Sequence, residues 1–360
     1  MSNAKTLTLH MHSISPLHIA DAGSGASHID SSGFIRQGKV PGTMPVTRIE
    51  RKPILIPKEV SGRDSDSVSH FPYIKANNMV GRLRRFAQDA INEVIVERGE
   101  QISDKTYRGL SCGATSGSPN GVEPTLSEHR AARKHFYLGL FGGGNGMFAS
   151  GMSFGDFNIK HKHLISSGVL PQDLEGTTDV DINRLTYPIS LVRRDRMTEL
   201  TDFNIEKVIS GGNEAVEAWR DLIAAASKKA EEIKEAKAAG NEDKAKAKEG
   251  ARQMLRNLVA YEAALAGLGY YSKVTLAKQT NDAHVGLLLE ALSRFAEANA
   301  MGGKSAKGFG RFNLTVKEGD NVLLQSVDGE IVKADGGRYT EALIDELDSL
   351  DIAELESFFA

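Results

Sequence analysis

The stretch best suited to holding a ligand is residues 302–311, which read Gly-Gly-Lys-Ser-Ala-Lys-Gly-Phe-Gly-Arg. The stretch contains four glycines, three cations and no acid, between a helical pattern and a strand pattern. Glycine brings backbone N–H groups close to a ligand, and Lys and Arg supply positive charge. We predict that this loop holds phosphate groups, the alternative being a plain glycine-rich connection. The predicted contacts are Gly302, Gly303, Lys304, Lys307 and Arg311.

Gly303-Lys304-Ser305 invites comparison with the end of a mononucleotide P-loop. That motif requires glycine at position 298, where this chain has alanine. A P-loop also follows a strand, whereas this loop follows a predicted helix. A P-loop is therefore excluded.

A second group of polar and basic residues opens the predicted helix over residues 77–98. Its apolar residues recur at helical spacing, which indicates one buried stripe. Cations at a helix N-terminus oppose the helix dipole, so a bound anion would explain them better than solvent alone. The residues predicted to contact the anion here are Lys75, Asn77, Asn78, Arg82 and Arg85, with Arg84 beside them.

Other candidate groups are smaller. Arg193, Arg194 and Arg196 follow a predicted strand over 185–192 and form a predicted basic patch. Two histidine pairs, His10 with His12 and His161 with His163, each lie on one side of a predicted strand. A metal site needs more ligands than two, and neither pair has a third at a recognisable spacing. We therefore predict no metal and no cofactor.

Composition narrows the class of protein. Hydrophobic residues are 40% and charged residues 25% of the 360 residues, as in a soluble globular protein. No apolar run approaches the ~20 residues that span a bilayer. The single cysteine, Cys112, excludes an internal disulfide and a multi-cysteine zinc site. We therefore expect the protein to be cytoplasmic.

The net charge of −3 is unevenly distributed. Residues 318–360 hold twelve acids and two bases, a balance of −10, which leaves +7 on residues 1–317. A positive body is compatible with a polyanion as partner. A long segment rich in Ala, Lys and Glu, residues 213–267, predicts a helical hairpin inserted between strands.

Without its insertions the chain reads strand, helix, strand, strand, helix, strand. This order predicts an α+β fold with a ferredoxin-like, RRM-like βαββαβ core, a scaffold common among RNA-binding proteins.

Short motifs occur in a recognisable order: Ser15-Pro16-Leu17-His18-Ile19 closing the first strand, 77–84 opening the helix, Leu140-Phe141-Gly142 before a strand, and 307–312 entering the last strand. Together they resemble the RAMP superfamily of class 1 CRISPR effector complexes, specifically the backbone subunit that coats the guide RNA. The resemblance spans residues 5 to about 316 and is most like the type IV branch. One departure is Ala76-Asn77-Asn78, where the family usually has Gly-Ser-Ser.

The resemblance implies a discontinuous RRM-like palm with inserted fingers and a thumb. We expect the palm to comprise residues 5–20, 73–98, 146–198 and 268–316, with finger or loop insertions at 21–72 and 99–145. Residues 199–267 would be a helical insertion in the finger or thumb region, and 317–360 an acidic hairpin and helix.

The resemblance also implies a function in antiviral defence. A non-catalytic subunit would oligomerise along guide RNA as a helical filament, hold the phosphate backbone and present bases for pairing. The partners implied are guide RNA, further copies of the chain, other effector subunits, target DNA or RNA through the guide, and a helicase, with no membrane.

Many type III relatives cut target RNA with an aspartate in an Ile-Gly-Gly-Ile-Asp context. Ser27-His28-Ile29-Asp30 can be aligned with it but lacks the glycines and a general acid, so binding without cleavage by Asp30 is expected. Two alternatives stay open. One is a metal-dependent or repeat-processing endoribonuclease using His10, His12, Asp30, His161 and His163; the other is a structural oligomer whose tail helix docks on a neighbour.

Overall fold

A computed structural model describes residues 4–21, 27–29, 35–37, 44–113, 124–194 and 256–359, together with five isolated helical positions between 214 and 232. The chain divides into two compact units. The larger comprises Met1–Gly23, Arg48–Tyr187 and Glu262–Ala360, and the smaller comprises Ser24–Thr47 and Pro188–Tyr261.

The strands of the described residues are, in chain order, β1 (Lys5–Ser13), β2 (Ser27–Ile29), β3 (Ile35–Gln37), β4 (Met44–Thr47), β5 (Arg51–Ile56), β6 (Ser67–Ile74), β7 (Met152–Phe154), β8 (Phe157–Ile159), β9 (Thr186–Arg194), β10 (Arg256–Ala264), β11 (Gly269–Leu276), β12 (Phe312–Glu318), β13 (Asn321–Val327) and β14 (Glu330–Ala334). The helices are α1 (Lys58–Ser61), α2 (Ala76–Glu97), α3 (Asp104–Cys112), α4 (Leu126–Lys134), α5 (Phe136–Phe141), α6 (Lys162–Ser166), α7 (Asp282–Ala298), α8 (Arg338–Asp348) and α9 (Ile352–Ser357).

The larger unit is built on a nine-stranded sheet of described strands, ordered β14-β13-β12-β1-β11-β8-β6-β5, with β7 paired to β11. Its centre, β12-β1-β11-β8, is connected as β1-α2-β8-β11-α7-β12. Both neighbours of β1 run antiparallel to it. The predicted α+β class and the βαββαβ core are therefore confirmed.

The sheet and the two long helices bury one hydrophobic core. Leu7, Leu9 and Met11 alternate with more exposed residues along β1 and are almost fully buried. α2 buries the predicted stripe, and α7 is buried along most of its length. Phe295 of α7 stacks on Phe312 of β12 at 4.6 Å between ring centroids. Alternation in the strand and helical spacing in α2 thus place their apolar residues in the same interior.

Three segments differ from the expectations. Residues 51–72, expected as part of the 21–72 finger or loop insertion, contain β5 and most of β6, which pair antiparallel. Pro53 concealed this hairpin, and the edge position of β5 accommodates a proline. Within the expected finger or loop insertion 99–145, α3 begins at a serine cap, Ser103, whose side chain accepts the N–H of Thr106.

The third difference is β10, which lies inside the predicted helical insertion. Its alanine-rich sequence favours a helix locally, but residues 260–264 are buried without interruption, as in a strand covered on both faces. Tertiary pairing with β4 and β9 overrides the local preference. The other residues expected as a helical hairpin lie largely outside the described residues.

The acidic C-terminal segment packs on its own body. It consists of the expected hairpin, β13–β14, followed by two helices rather than one, α8 and α9. Leu343, Leu355 and Phe359 are at most 5% exposed. A Cβ placed on Gly286 of α7 would lie 2.2 Å from the carbonyl oxygen of Tyr339, so the helices approach too closely for a side chain there. These buried residues are therefore occupied by the protein's own core, whereas Ile344 of α8 is 50% exposed; docking of the tail helix on a neighbour stays a prediction.

In the smaller unit, a five-stranded sheet among the described strands has the order β3-β2-β4-β10-β9. β9, expected in the palm, pairs in this sheet instead. No helix within the described ranges is long and apolar enough to cross a membrane.

Candidate nucleic-acid interface

The predicted phosphate loop is an exposed backbone arch fastened at its base. We call residues 302–308 the glycine-rich loop; all of them are exposed. The N–H of Met301 donates to the carbonyl oxygen of Gly310 at 2.9 Å, which closes the arch. The N–H of Gly303 donates to the carbonyl oxygen of His18 at 2.8 Å, and that of Gly310 to Pro16 at 2.9 Å. The loop is thus seated on the Ser15-to-Ile19 segment, the first of the sequence motifs.

Gly310 is required at the base of the loop for two reasons. Its φ is +77°, a region that other residues rarely adopt. A Cβ on Gly310 would also lie 1.9 Å from the carbonyl oxygen of Met301. Gly308, two residues earlier, has a similar φ of +78° but open space around its Cβ position. Position 310 therefore requires glycine both for its positive φ and because a Cβ there would clash with Met301, whereas position 308 requires it only for its φ.

Arg82 joins the two predicted binding segments. From the second turn of α2 its Nη1 donates to the carbonyl oxygen of Ala300, beside the glycine-rich loop. The guanidinium lies 5.9 Å from the centre of the Phe295 ring. Burial, followed by the nearby charge of Arg85, lowers the pKa of Arg82. This contact brings the two segments together, and Arg82 is the structural link between them; its contact with phosphate stays a prediction.

The start of α2 already has an acidic partner. The carboxylate of Asp156 accepts the N–H of Ala76 at 3.0 Å and the Nζ of Lys52 at 2.8 Å. Burial raises the pKa of Asp156, but the hydrogen bonds from Lys52 and Ala76 outweigh it and lower the pKa overall. Lys75 pairs with Glu50 at 2.8 Å. The anion inferred at this helix end is therefore supplied in part by the protein itself.

The remaining polar residues of this helix end differ in orientation. Asn77 and Asn78 are exposed in the first turn of α2. Arg85 is exposed too, and its Nε donates to the carbonyl oxygen of Gly81 at 3.2 Å. Arg84 points the other way and donates to the carbonyl oxygens of Phe141 and Gly142 at 2.7 and 3.1 Å. Arg84 therefore caps the end of α5 and is not a ligand contact.

Arg311 is engaged by the protein. Its Nη2 pairs with the carboxylate of Asp328, and both side chains are about half exposed. Asn299 also donates to that carboxylate, at 2.9 Å, and its own amide oxygen accepts the N–H of Phe312 at 2.8 Å. This pairing holds the exit of the loop against the β13–β14 turn, so Arg311 would have to share its charge with any phosphate.

Behind the loop lies a buried charge network that sequence reasoning missed. Glu262 is 2% exposed and pairs with Arg51, while Arg48 lies 3.6 Å away. Thr186 donates to the same carboxylate at 2.6 Å. Burial raises the pKa of Glu262, but the charge of Arg51 and these hydrogen bonds lower it overall. His18, which holds Gly303, contacts the carbonyl oxygen of Glu262 through Nδ1 at 2.6 Å.

Comparison with known proteins adds little to this geometry. No protein-family model and no curated protein matches the chain. Among solved structures, a chain of a "Type IV-B CRISPR Complex" is similar with a TM-score of 0.44 and 16% identity, over 88% of this chain and 92% of that chain. A likeness at this level does not assign a function.

The other predicted site residues are only partly described by the structure. Arg193 and Arg194 end β9, but their side chains lie outside the described residues, as do Arg196 and Asp30 altogether. His161 is buried; its Nδ1 accepts the N–H of His163 at 3.1 Å and its Nε2 contacts the carbonyl oxygen of Val180 at 2.9 Å. Both nitrogens of His161 therefore serve the fold. Within the described ranges, no three His, Cys, Asp or Glu side chains are grouped to hold a metal ion.

Proposed function

We propose that the chain is a guide-RNA-binding backbone subunit of a class 1 CRISPR effector complex, most like the type IV branch. The observation that carries the proposal is the exposed, glycine-rich loop held beside the start of α2 through Arg82 and Ala300. The order of the sequence motifs supports the family, and the exposed loop beside α2 supports phosphate binding.

A guide-binding subunit must hold the RNA without occupying the pairing edges of its bases. Backbone N–H groups and lysines suit this task because they recognise phosphate whatever the base sequence. Lys304 and Lys307 are exposed in the glycine-rich loop, and Asn77 and Asn78 are exposed at the start of α2. Phosphates would lie along this surface. Lys75, Arg82, Arg85 and Arg311 are proposed at its margin, and Arg193, Arg194 and Arg196 as further contacts.

The proposal also includes assembly and partners. Copies of the chain would bind side by side along one guide RNA and form a helical filament within an effector complex in the cytoplasm. The complex would reach target DNA or RNA through the guide. A helicase would be a further partner. Cleavage is not part of this function. Complex loaded with a complementary guide should leave target RNA intact, and regular cuts that disappear in Asp30→Ala would contradict this.

The direct test is the salt dependence of binding to single-stranded RNA by nucleic-acid-free protein. The affinity should fall steeply with salt, with a slope of about −0.7 for each phosphate contacted. Lys304→Ala combined with Lys307→Ala should weaken binding and reduce the slope by about 0.7 for each lost contact. Lys333→Ala, which removes an exposed lysine from β14, is the matched control. An affinity that ignores salt, or a double variant that binds like the wild type, would overturn the phosphate site.

A further inference from the structure

The face of the nine-stranded sheet opposite α2 and α7 carries polar and aromatic side chains. We call it the open face. Along β1, β11 and β12, its positions alternate with the buried positions of the core and are half-buried or exposed. The open face comprises Thr8, His10, His12, Tyr73, Asn158, Tyr271, Lys273, Asn313, Thr315 and Lys317.

Pairing places the rings of this face in one row across the strands. Tyr271 of β11 is opposite His10 of β1 on one side and Asn158 of β8 on the other. Asn158 is in turn opposite Tyr73 of β6. His10 is also opposite Thr315 of β12. The row therefore reads Tyr73, Asn158, Tyr271, His10 and Thr315; all five are half-buried, and Tyr271 also packs against the hydrophobic core.

The two central rings contact each other edge to face. The centroids of His10 and Tyr271 are 5.3 Å apart, and their planes meet at 79°. Both rings are half-buried, so part of each is accessible from solvent. Burial, then the charges of Lys160 and Lys317, lower the pKa of His10 to about 4. The imidazole is therefore neutral near pH 7 and has the character of an aromatic ring rather than a cation.

Cations flank the row. Thr8 is opposite Lys273 on one side and Lys317 on the other. No salt bridge joins either lysine to an acid among the residues that the structure describes, and none of the open-face positions is acidic. Beside Tyr73, the Nζ of Lys52 lies 5.7 Å from the ring centre, but this lysine is already paired with Asp156. Rings set between lysines fit a ligand that alternates flat bases with negative phosphates.

We propose that the open face is a second nucleic-acid surface, which stacks the unpaired bases of a single strand on Tyr271 and His10 and takes its phosphates on Lys273 and Lys317. The inference goes beyond the proposed phosphate site, because it concerns a different surface and a different part of the nucleotide. Bases that are paired inside a duplex cannot stack on these rings. The ligand is therefore a single-stranded segment that leaves its bases unpaired, of RNA or DNA.

The test uses the full chain carrying Lys304→Ala and Lys307→Ala, so that binding by the glycine-rich loop is reduced. Fluorescence anisotropy measures its affinity for a short labelled oligouridylate, for oligothymidylate and for a duplex. Added Tyr271→Ala should weaken single-strand binding by about fivefold to a hundredfold, because one stacked base is lost. Tyr271→Phe keeps the ring and should bind as the parent does. The affinities for oligouridylate and oligothymidylate show whether the open face prefers RNA or DNA.

Equal affinity of the Ala and Phe variants, both with unchanged melting temperatures, would overturn the proposal. If Tyr271→Ala does not fold, cross-linking of wild-type protein to RNA containing 4-thiouridine decides instead. Cross-links to β1 and β11 support the open face, and cross-links confined to residues 302–311 contradict it. A loop variant without effect on RNA binding would count against the proposed phosphate site alone, since dependence on Tyr271 would still be measured in the same assay.

Discussion

The guanidinium of Arg82 donates to the carbonyl oxygen of Ala300, so the second turn of α2 is tied directly to the segment that enters the glycine-rich loop. These residues are more than two hundred positions apart in the chain. The contact brings together two segments that are separately rich in cations, and it gives Arg82 a structural role that the exposed Arg85 of the same helix does not have.

Arg82 and Arg85 should therefore respond differently to removal. Arg82→Ala loses a charged hydrogen bond at a partly buried site and should lower the free energy of unfolding by about 2 kcal/mol. Arg85→Ala, three residues along and exposed, should change it by less than about 0.5 kcal/mol. Urea denaturation measures both. Equal destabilisation by the two substitutions would show that Arg82 is not the link inferred here.

Gly308 and Gly310 form a matched pair for the shape of the loop, since their φ angles are +78° and +77°. Gly308→Ala should cost about 1 kcal/mol, the strain of a left-handed alanine. Gly310→Ala adds the clash with Met301 and should cost about 3 kcal/mol or more. Melting temperatures and RNA affinity of both variants test this difference. Similar values for the two would mean that the base of the loop adjusts freely.

Glu262 should be important for stability although it contacts no ligand in the proposed function. Glu262→Gln leaves Arg51 and Arg48 without their shared negative partner and should destabilise the larger unit by about 3 kcal/mol. The control is Glu93→Gln, because Glu93 pairs with Arg294 at 2.5 Å but is 58% exposed. An exposed pair contributes about 1 kcal/mol or less. The denaturant midpoint of Glu262→Gln should therefore be lower than that of Glu93→Gln. Equal midpoints would show that the buried network stabilises the fold no more than an exposed ion pair does.

Two buried histidines should make the fold sensitive to acid. Burial and the charge of His284 lower the pKa of His135 to about 4, and burial chiefly lowers that of His284 to about 4. Below the ordinary value of 6.5 the unfolded chain therefore binds protons that the folded chain does not. Stability should fall as the pH drops from about 6.5 to about 4, by about 1.4 kcal/mol for each unit of pKa difference at each site.

Melting temperature as a function of pH measures this effect. His135 accepts the N–H groups of Tyr137 and Leu138, and asparagine can take over such a cap without titrating. His135→Asn should therefore flatten the pH dependence, with His12→Asn at an exposed position as the matched substitution. A wild-type melting temperature that is constant over this range would contradict the prediction.

The length of the RNA should set the number of chains bound. A repeated contact without closure produces a filament rather than a ring. Leu343 of α8 and Leu355 of α9 are buried on their own body, so these two residues are not available to join the copies. Native mass spectrometry with RNAs of increasing length should show stepwise addition, which Lys304→Ala combined with Lys307→Ala should weaken. A fixed dimer or tetramer at every length would contradict the filament.

Sequence pattern determined the core elements of the fold, because their apolar residues repeat at the spacing of the element itself. β1 and α2 are examples in which alternation or helical spacing coincides with the buried face. The same reasoning located the glycine-rich loop, since glycine and lysine in one run are unusual in a packed element. It failed for β10, whose strand conformation depends on neighbours distant in the chain.

Only the tertiary structure decided what each charge does. Arg82, Arg84 and Arg85 have the same side chain within four positions, yet one reaches Ala300, one caps α5 and one is exposed. Glu262 and Asp328 gave no signal, because their partners Arg51 and Arg311 are set by the packing of separate elements. A periodic pattern reports which side of an element is buried; the partner of a polar group depends on where the chain returns in space.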